Sequence, residues 1–190
     1  MRVHLLMQAL REARVPAHRH ARHLVAEPQS DGVHHRAGLV AQHGKRVLLI
    51  DLDPQGALSV GLGVRSQDLD VTIYNLLVER GHDAHDVIQT TRVHNLDVLP
   101  ANIDLSAAEV QLVGEVAREM VLARVLRSVA DEYDVILIDC QPSLGLLTVN
   151  ALTASHGVVI PLEAEFFAMR GVALLVETIE KVQDRLNPRD

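Results

Sequence analysis

Two carboxylates two residues apart, Asp51 and Asp53, follow the apolar run Val47-Leu48-Leu49-Ile50, and a third, Asp139, follows Val135-Ile136-Leu137-Ile138. Side chains two apart in an extended segment point to the same side. Asp51 and Asp53 could therefore hold a magnesium ion through water or orient a nucleophilic water. The other reading of an isolated Asp-x-Asp is that it caps the next turn. The first run continues as Asp51-Leu52-Asp53-Pro54-Gln55-Gly56 and the second as Asp139-Cys140-Gln141-Pro142-Ser143.

Such groups act together only if strand ends are gathered at one edge, and from Lys45 onward the chain alternates short strands with longer helices. The two runs read as strands buried on both faces of a parallel sheet. Leu96-Asp97-Val98-Leu99-Pro100 is a further strand, closed by a proline that cannot donate to the ladder, and Val158-Val159-Ile160 a fourth. Helices are expected over Thr72–Glu79, Ser106–Val113, Glu115–Glu132, Leu146–Ala154 and Ala168–Leu186. In the 115–132 segment Val116, Met120, Ala123, Leu126 and Ala130 recur at helical steps and define its apolar face. The alternation predicts an α/β fold, a mostly parallel sheet flanked by helices, with its ligand crevice beyond the carboxyl ends of the strands.

The 190 residues suit one domain, since a chain of this size buries roughly 70% of its unfolded surface. Apolar residues at 48% and charged residues at 23% exclude a collagen-like, disulfide-rich or wholly disordered chain. No apolar run approaches the roughly 20 residues of a membrane helix, and Met1–Leu10 lacks the features of a leader, so no membrane role and a cytoplasmic location are expected. Cys140 is the single cysteine and Trp is absent, which excludes an internal disulfide and disfavours stacking platforms for single-stranded nucleic acid.

Charge divides the chain near Gly44. Residues 1–44 carry six Arg and no Lys against three acids, and seven of the eleven His, whereas the remainder carries 12 basic and 22 acidic residues. Two segments are expected: 1–43, an atypical basic head rich in His and Arg and poorly ordered, and 44–190, the α/β domain. The histidines His18, His20, His23, His34 and His35 fit no common zinc spacing.

The string Gly44-Lys45-Arg46-Val47-Leu48-Leu49-Ile50-Asp51-Leu52-Asp53-Pro54-Gln55-Gly56, with Ser59-Val60-Gly61-Leu62-Gly63 after it, closely resembles the ParA/Soj family of chromosome- and plasmid-partitioning ATPases, deviant P-loop proteins. Thr72–Leu77, Pro100–Ser106, Tyr133–Cys140 and Pro142–Leu152 resemble the family in the same order, so the likeness covers about residues 44–190. It implies a P-loop NTPase-like domain that hydrolyses ATP to ADP and phosphate with Mg. Asp53 would position or activate the attacking water, and Asp51 would support it. Asp139 would hold the magnesium hydration shell, the sensible use of a carboxylate beside a triphosphate. Gln55, Gly56 and Pro142 would line the cofactor, and Pro161–Gly171, with Phe166 and Phe167, would border the adenine. The implied partners are a ParB-like centromere-binding protein, nonspecific DNA and a second subunit, either another copy or an intact homologue, with a nucleoid-associated location.

The sequence departs from the family upstream. A P-loop needs glycine amides to wrap the phosphates, a lysine to neutralise them and a hydroxyl for the magnesium. The chain has two lysines, Lys45 and Lys181, and neither sits in such a motif. Counted back from Gly44, the family's phosphate-binding lysines would fall around Leu24 and Gln29. That window reads Leu24-Val25-Ala26-Glu27-Pro28-Gln29-Ser30-Asp31, which offers two carboxylates where phosphates should sit. The resemblance thus implies an incomplete P-loop NTPase-like domain that is short also at its C-terminal end by comparison with the family, and tight ATP binding is not expected. The head is read as the product of a shifted reading frame or start, or as a genuine divergent segment. Met1–Met7 and Leu24–Ala26 are the candidates for the slot of the P-loop strand; an empty slot would leave two unpaired strand edges. Three functions compete: a partitioning ATPase, a non-hydrolysing interaction fragment acting through an intact homologue or a centromere-binding partner, and a septum-positioning relative, for which no amphipathic membrane helix is visible.

Overall fold

The computed structural model describes residues 22–26, 33–141, 143–160 and 168–187. Six strands form one sheet: β1 (Arg22–Ala26), β2 (Val47–Leu52), β3 (Gln89–Thr90), β4 (Leu96–Leu99), β5 (Val135–Cys140) and β6 (Gly157–Val159). Their spatial order is β3-β4-β2-β5-β1-β6, and every pairing is parallel except that of the short β3 with β4. The helices are α1 (Val33–Gln42), α2 (Ala57–Gly61), α3 (Ile73–Val78), α4 (Ala84–Val87), α5 (Leu105–Leu112), α6 (Val121–Leu126), α7 (Leu146–Thr153) and α8 (Ala168–Arg185).

The period-two alternation of the central strands sorts their side chains into two layers. Leu48, Ile50 and Leu52 of β2 and Ile136 and Ile138 of β5 face one core, shared with Ile73 and Leu76 of α3, Leu105 and Leu112 of α5, Leu122 and Leu126 of α6, Leu147 of α7 and Val182 of α8. Val47 and Leu49 of β2 and Val135 and Leu137 of β5 face the other, beneath Val33, Ala37, Val40 and Ala41 of α1 and Leu58 of α2. Each such leucine or isoleucine contributes about 1.5–3 kcal/mol by leaving water, which is why both central strands read as unbroken apolar runs.

The slot beside β5 is filled. Arg22–Ala26, which contains the candidate Leu24–Ala26, pairs with β5 on one side and β6 on the other, so no central edge is left open. Met1–Met7 lies outside the described residues. The break in composition at Gly44 is not a break in packing, because α1 precedes it and buries four side chains against β2 and β4.

One expected helix is corrected. The 115–132 segment is a 3-10 turn at Arg118–Met120, then α6 over Val121–Leu126, then turns to Glu132. Ala117 adopts a left-handed φ of 55°, which no helix interior tolerates. Buried Asn150 of α7 fixes the new start: its amide nitrogen donates to the Arg118 carbonyl (2.8 Å) and its Oδ1 accepts the Leu122 N–H (3.1 Å). The buried face is then Val121, Leu122, Leu126 and Val129, while Val116 is 87% exposed.

Candidate functional site

The parallel register aligns three strand ends. Ala26 of β1, Asp139 of β5 and Asp51 of β2 lie in one row across the sheet, so the residue that ends β1 stands beside Asp139, with Asp51 on the far side of it. Asp51 and Asp139 have the same strand parity as Val47 and Val135 and therefore point to the α1–α2 side of the sheet.

Asp51 is fully buried and fully engaged. Its Oδ2 accepts the Ser59 N–H (2.9 Å) and the Ser59 hydroxyl (2.6 Å), and its Oδ1 accepts the Asp53 N–H (3.2 Å). Burial raises its pKa, against the Ser59 bonds that favour the charged form. Ser59 Oγ also accepts the Ala101 N–H (3.2 Å), which ties the β4–α5 loop to the end of β2. Asp51 is thus positioned to organise the turn after β2.

Asp53 begins that turn and is half-buried. Its Oδ1 accepts the Gln55 N–H (2.9 Å), its carbonyl accepts the Gly56 N–H (2.9 Å), and Gln55 is exposed. Gly56 has a φ of 62°, and a Cβ there would lie 2.8 Å from the Ala101 carbonyl oxygen, so only glycine fits. The glycine lets two backbone segments approach where Asp53 leaves the sheet.

Asp139 shares the burial and the raised pKa of Asp51 but not its hydrogen bonds. It is 4% exposed, its Oδ1 is buried and accepts no hydrogen bond, and burial, with the charges of Asp51 and Asp53, pushes its pKa up to about 7. A buried carboxylate oxygen without a donor lacks something that supplies one. The hydration shell of a divalent cation does so, and the residue fits the magnesium role that the sequence suggested. A second buried oxygen, Ser143 Oγ, is also without a partner, while the Ser143 carbonyl accepts the Thr148 hydroxyl (2.7 Å). Pro142, between them, lies outside the described residues, as do His18, His20, Phe166 and Phe167.

The structure therefore brings Asp51, Asp53, Gln55, Gly56 and Asp139 to one end of the sheet. Sequence reasoning did not single out Ser59 and Ala101 as parts of the site, although Ser59 lies only three residues beyond Gly56. No group of described residues forms a ready-made metal cluster, and no described helix is long and apolar enough to cross a membrane.

A mostly parallel sheet with helices on both faces and acidic strand ends at one edge defines a doubly wound α/β protein, of the kind to which P-loop NTPases belong. The comparisons with known proteins narrow this. A family model described as AAA domain matches residues 34–189. An uncharacterized protein of Mycobacterium tuberculosis is 61% identical over 150 residues, covering 79% of this chain and 47% of its own. The chromosome-partitioning ATPase Soj of Treponema pallidum is 50% identical over 148 residues, covering 78% of this chain and 57% of its own. Among solved structures, cobyrinic acid a,c-diamide synthase from Mycobacterium smegmatis with bound ADP and magnesium superposes with a TM-score of 0.81 at 38% identity, covering 88% of this chain and 70% of that one. The same protein has also been solved with an ATP analogue and magnesium. The chain belongs to the ParA/Soj family of deviant P-loop ATPases. It spans about half the length of the curated relatives it matches.

Proposed function

We propose that the chain is a ParA-like partitioning protein, acting in ATP-dependent segregation of chromosomes or plasmids, with its own hold on ATP weakened. The observation that carries this reading is the alignment of Ala26, Asp139 and Asp51, with a carboxylate oxygen of Asp139 left without a donor. In this reading Asp139 holds the hydration shell of Mg. Asp53 positions or activates the water that attacks the terminal phosphate, and Asp51, locked by Ser59, fixes the turn that carries Asp53, Gln55 and Gly56. ATP, when bound, would supply the phosphoryl group, and its Mg would neutralise part of that group's charge. The weakness lies in Glu27-Pro28-Gln29-Ser30-Asp31-Gly32, the sequence between β1 and α1, which has no lysine and two carboxylates.

The partners that go with this reading are a ParB-like centromere-binding protein and nonspecific DNA, in the cytoplasm and on the nucleoid, with a second copy or an intact homologue as the other subunit. Hydrolysis of ATP that rises when such a centromere-binding protein is added, and is lost in Asp53→Ala, is the expected result for an active partitioning ATPase.

The lysine-free segment favours a second reading, an interaction fragment that hydrolyses nothing and acts through an intact homologue. Titrating the chain into such a homologue with its centromere-binding partner is then expected to lower partner-stimulated hydrolysis. An unchanged rate over a several-fold excess contradicts this second reading.

A further inference from the structure

Helix α4 is a single turn whose start is fixed by a reciprocal cap. The Asp83 carboxylate accepts the His85 N–H (3.0 Å), and the Asp83 N–H donates to Oδ2 of Asp86 (3.0 Å). The His85 ring is bonded on both sides. Its Nδ1 meets Oδ1 of Asp83, and its Nε2 lies 2.5 Å from Oε1 of Glu132, 47 residues further along, in the turn that leads through Tyr133 into β5.

A neutral imidazole carries one N–H and one lone pair, whereas an ionised carboxylate offers only lone pairs. A ring facing a carboxylate with each nitrogen must therefore carry both protons. Once the ring is neutral, one of its two contacts sets lone pair against lone pair and has to open. Asp83 also holds the backbone N–H of His85, so the contact within the turn is reinforced and the one that spans 47 residues is the one released.

The surroundings favour the charged ring. Asp83 and Asp86 stand on α4, Asp131 and Glu132 in the turn before β5, and Glu79, paired with His82 at 3.1 Å, beyond the end of α3. Among the described residues that line the adjoining cavity of about 450 Å³ are His82, Arg80 and Arg124, with Glu79, Asp83 and Glu115. The Glu132 and Asp83 contacts, in that order, raise the His85 pKa above its ordinary value of 6.5. The stabilisation is complete below the ordinary value and is lost as pH rises through the raised one.

We propose that His85 is a proton-dependent latch: with both ring nitrogens protonated it ties α4 to the turn before β5, and on losing a proton it lets Glu132 go.

The test is an NMR titration of the His85 ring nitrogens in the full chain, with hydrogen exchange of the α4 amides at pH 6 and pH 8, corrected for the intrinsic pH dependence of exchange. In the native protein the ring is expected to be doubly protonated at pH 7, and α4 protection to fall several-fold between the two pH values. In Glu132→Gln the amide can accept from or donate to the ring, so the midpoint is expected to drop towards the ordinary value and the protection to become independent of pH. In Glu132→Ala the protection is expected to be low at both pH values. A His85 ring that titrates at the ordinary value, or α4 protection with the same pH dependence in the native protein and Glu132→Gln, overturns the proposal. Neither result depends on nucleotide binding, so the latch and the partitioning role fail independently.

Discussion

Asp51 and Asp139 face each other in register on adjacent parallel strands, one with both carboxylate oxygens bonded and the other with a buried oxygen that has no donor. The apolar runs that make good central strands thus deliver one carboxylate each to the same edge, in different chemical states. Asp51 is held by its own chain, and Asp139 is left for something else.

This difference sets a pH dependence for stability. Asp139 takes up its proton at about 7 in the fold against an ordinary value of 3.8, so the native state binds more protons than the unfolded one between these values. Folding stability relative to an uncharged side chain is therefore intact below pH 4 and falls as pH rises to 7, by up to about 4 kcal/mol at 1.36 kcal/mol per unit. Asp139→Asn is expected to unfold at a higher temperature than the native protein at pH 8 and to lose that advantage towards pH 4. A lower midpoint for the variant at pH 8 contradicts the assignment.

Gly56 and Gly63 both have positive φ, 62° and 80°, but only the first has a neighbour in the way. Gly63→Ala is expected to cost about 1–2 kcal/mol, the penalty of a left-handed alanine. Gly56→Ala is expected to cost more, because the Ala101 carbonyl must also move. Urea unfolding of the two variants side by side measures the difference, and equal costs would mean that the close approach carries no energy.

Ser59 joins three segments through one hydroxyl, and its loss leaves Asp51 Oδ2 and the Ala101 N–H each short of a partner. Ser59→Ala is expected to destabilise the chain by about 1–3 kcal/mol. Hydrogen exchange is expected to speed up at Ala101. Ala101 protection unchanged in Ser59→Ala would show that the β4–α5 loop is held by other contacts.

The parts legible in the sequence were those in which one local signal decides the outcome. Val47–Ile50 and Val135–Ile138 are apolar on both faces, so the strands and the carboxylates at their ends could be read directly. Leu24–Ala26 stood out only as a candidate, because a short apolar stretch gains its strand from the vacant place between β5 and β6 rather than from its own pattern. The expected helix at 115–132 failed for a tertiary reason: Asn150, distant in sequence, captures the Arg118 carbonyl and the Leu122 N–H and moves the helix start past the left-handed Ala117. The Ser59 node and the pairing of His85 with Glu132 depend on contacts 42 and 47 residues apart, which no periodicity encodes.

Asp51 and Asp139 close adjacent strands, while the sequence between β1 and α1 holds no lysine. Equilibrium binding of ATP with magnesium to the folded chain, beside Asp139→Asn, tests the consequence most directly. No saturable binding is expected at micromolar nucleotide in either protein. Micromolar binding by the native chain that is lost in Asp139→Asn would contradict this, by showing that the segment between β1 and α1 builds a phosphate site without a lysine.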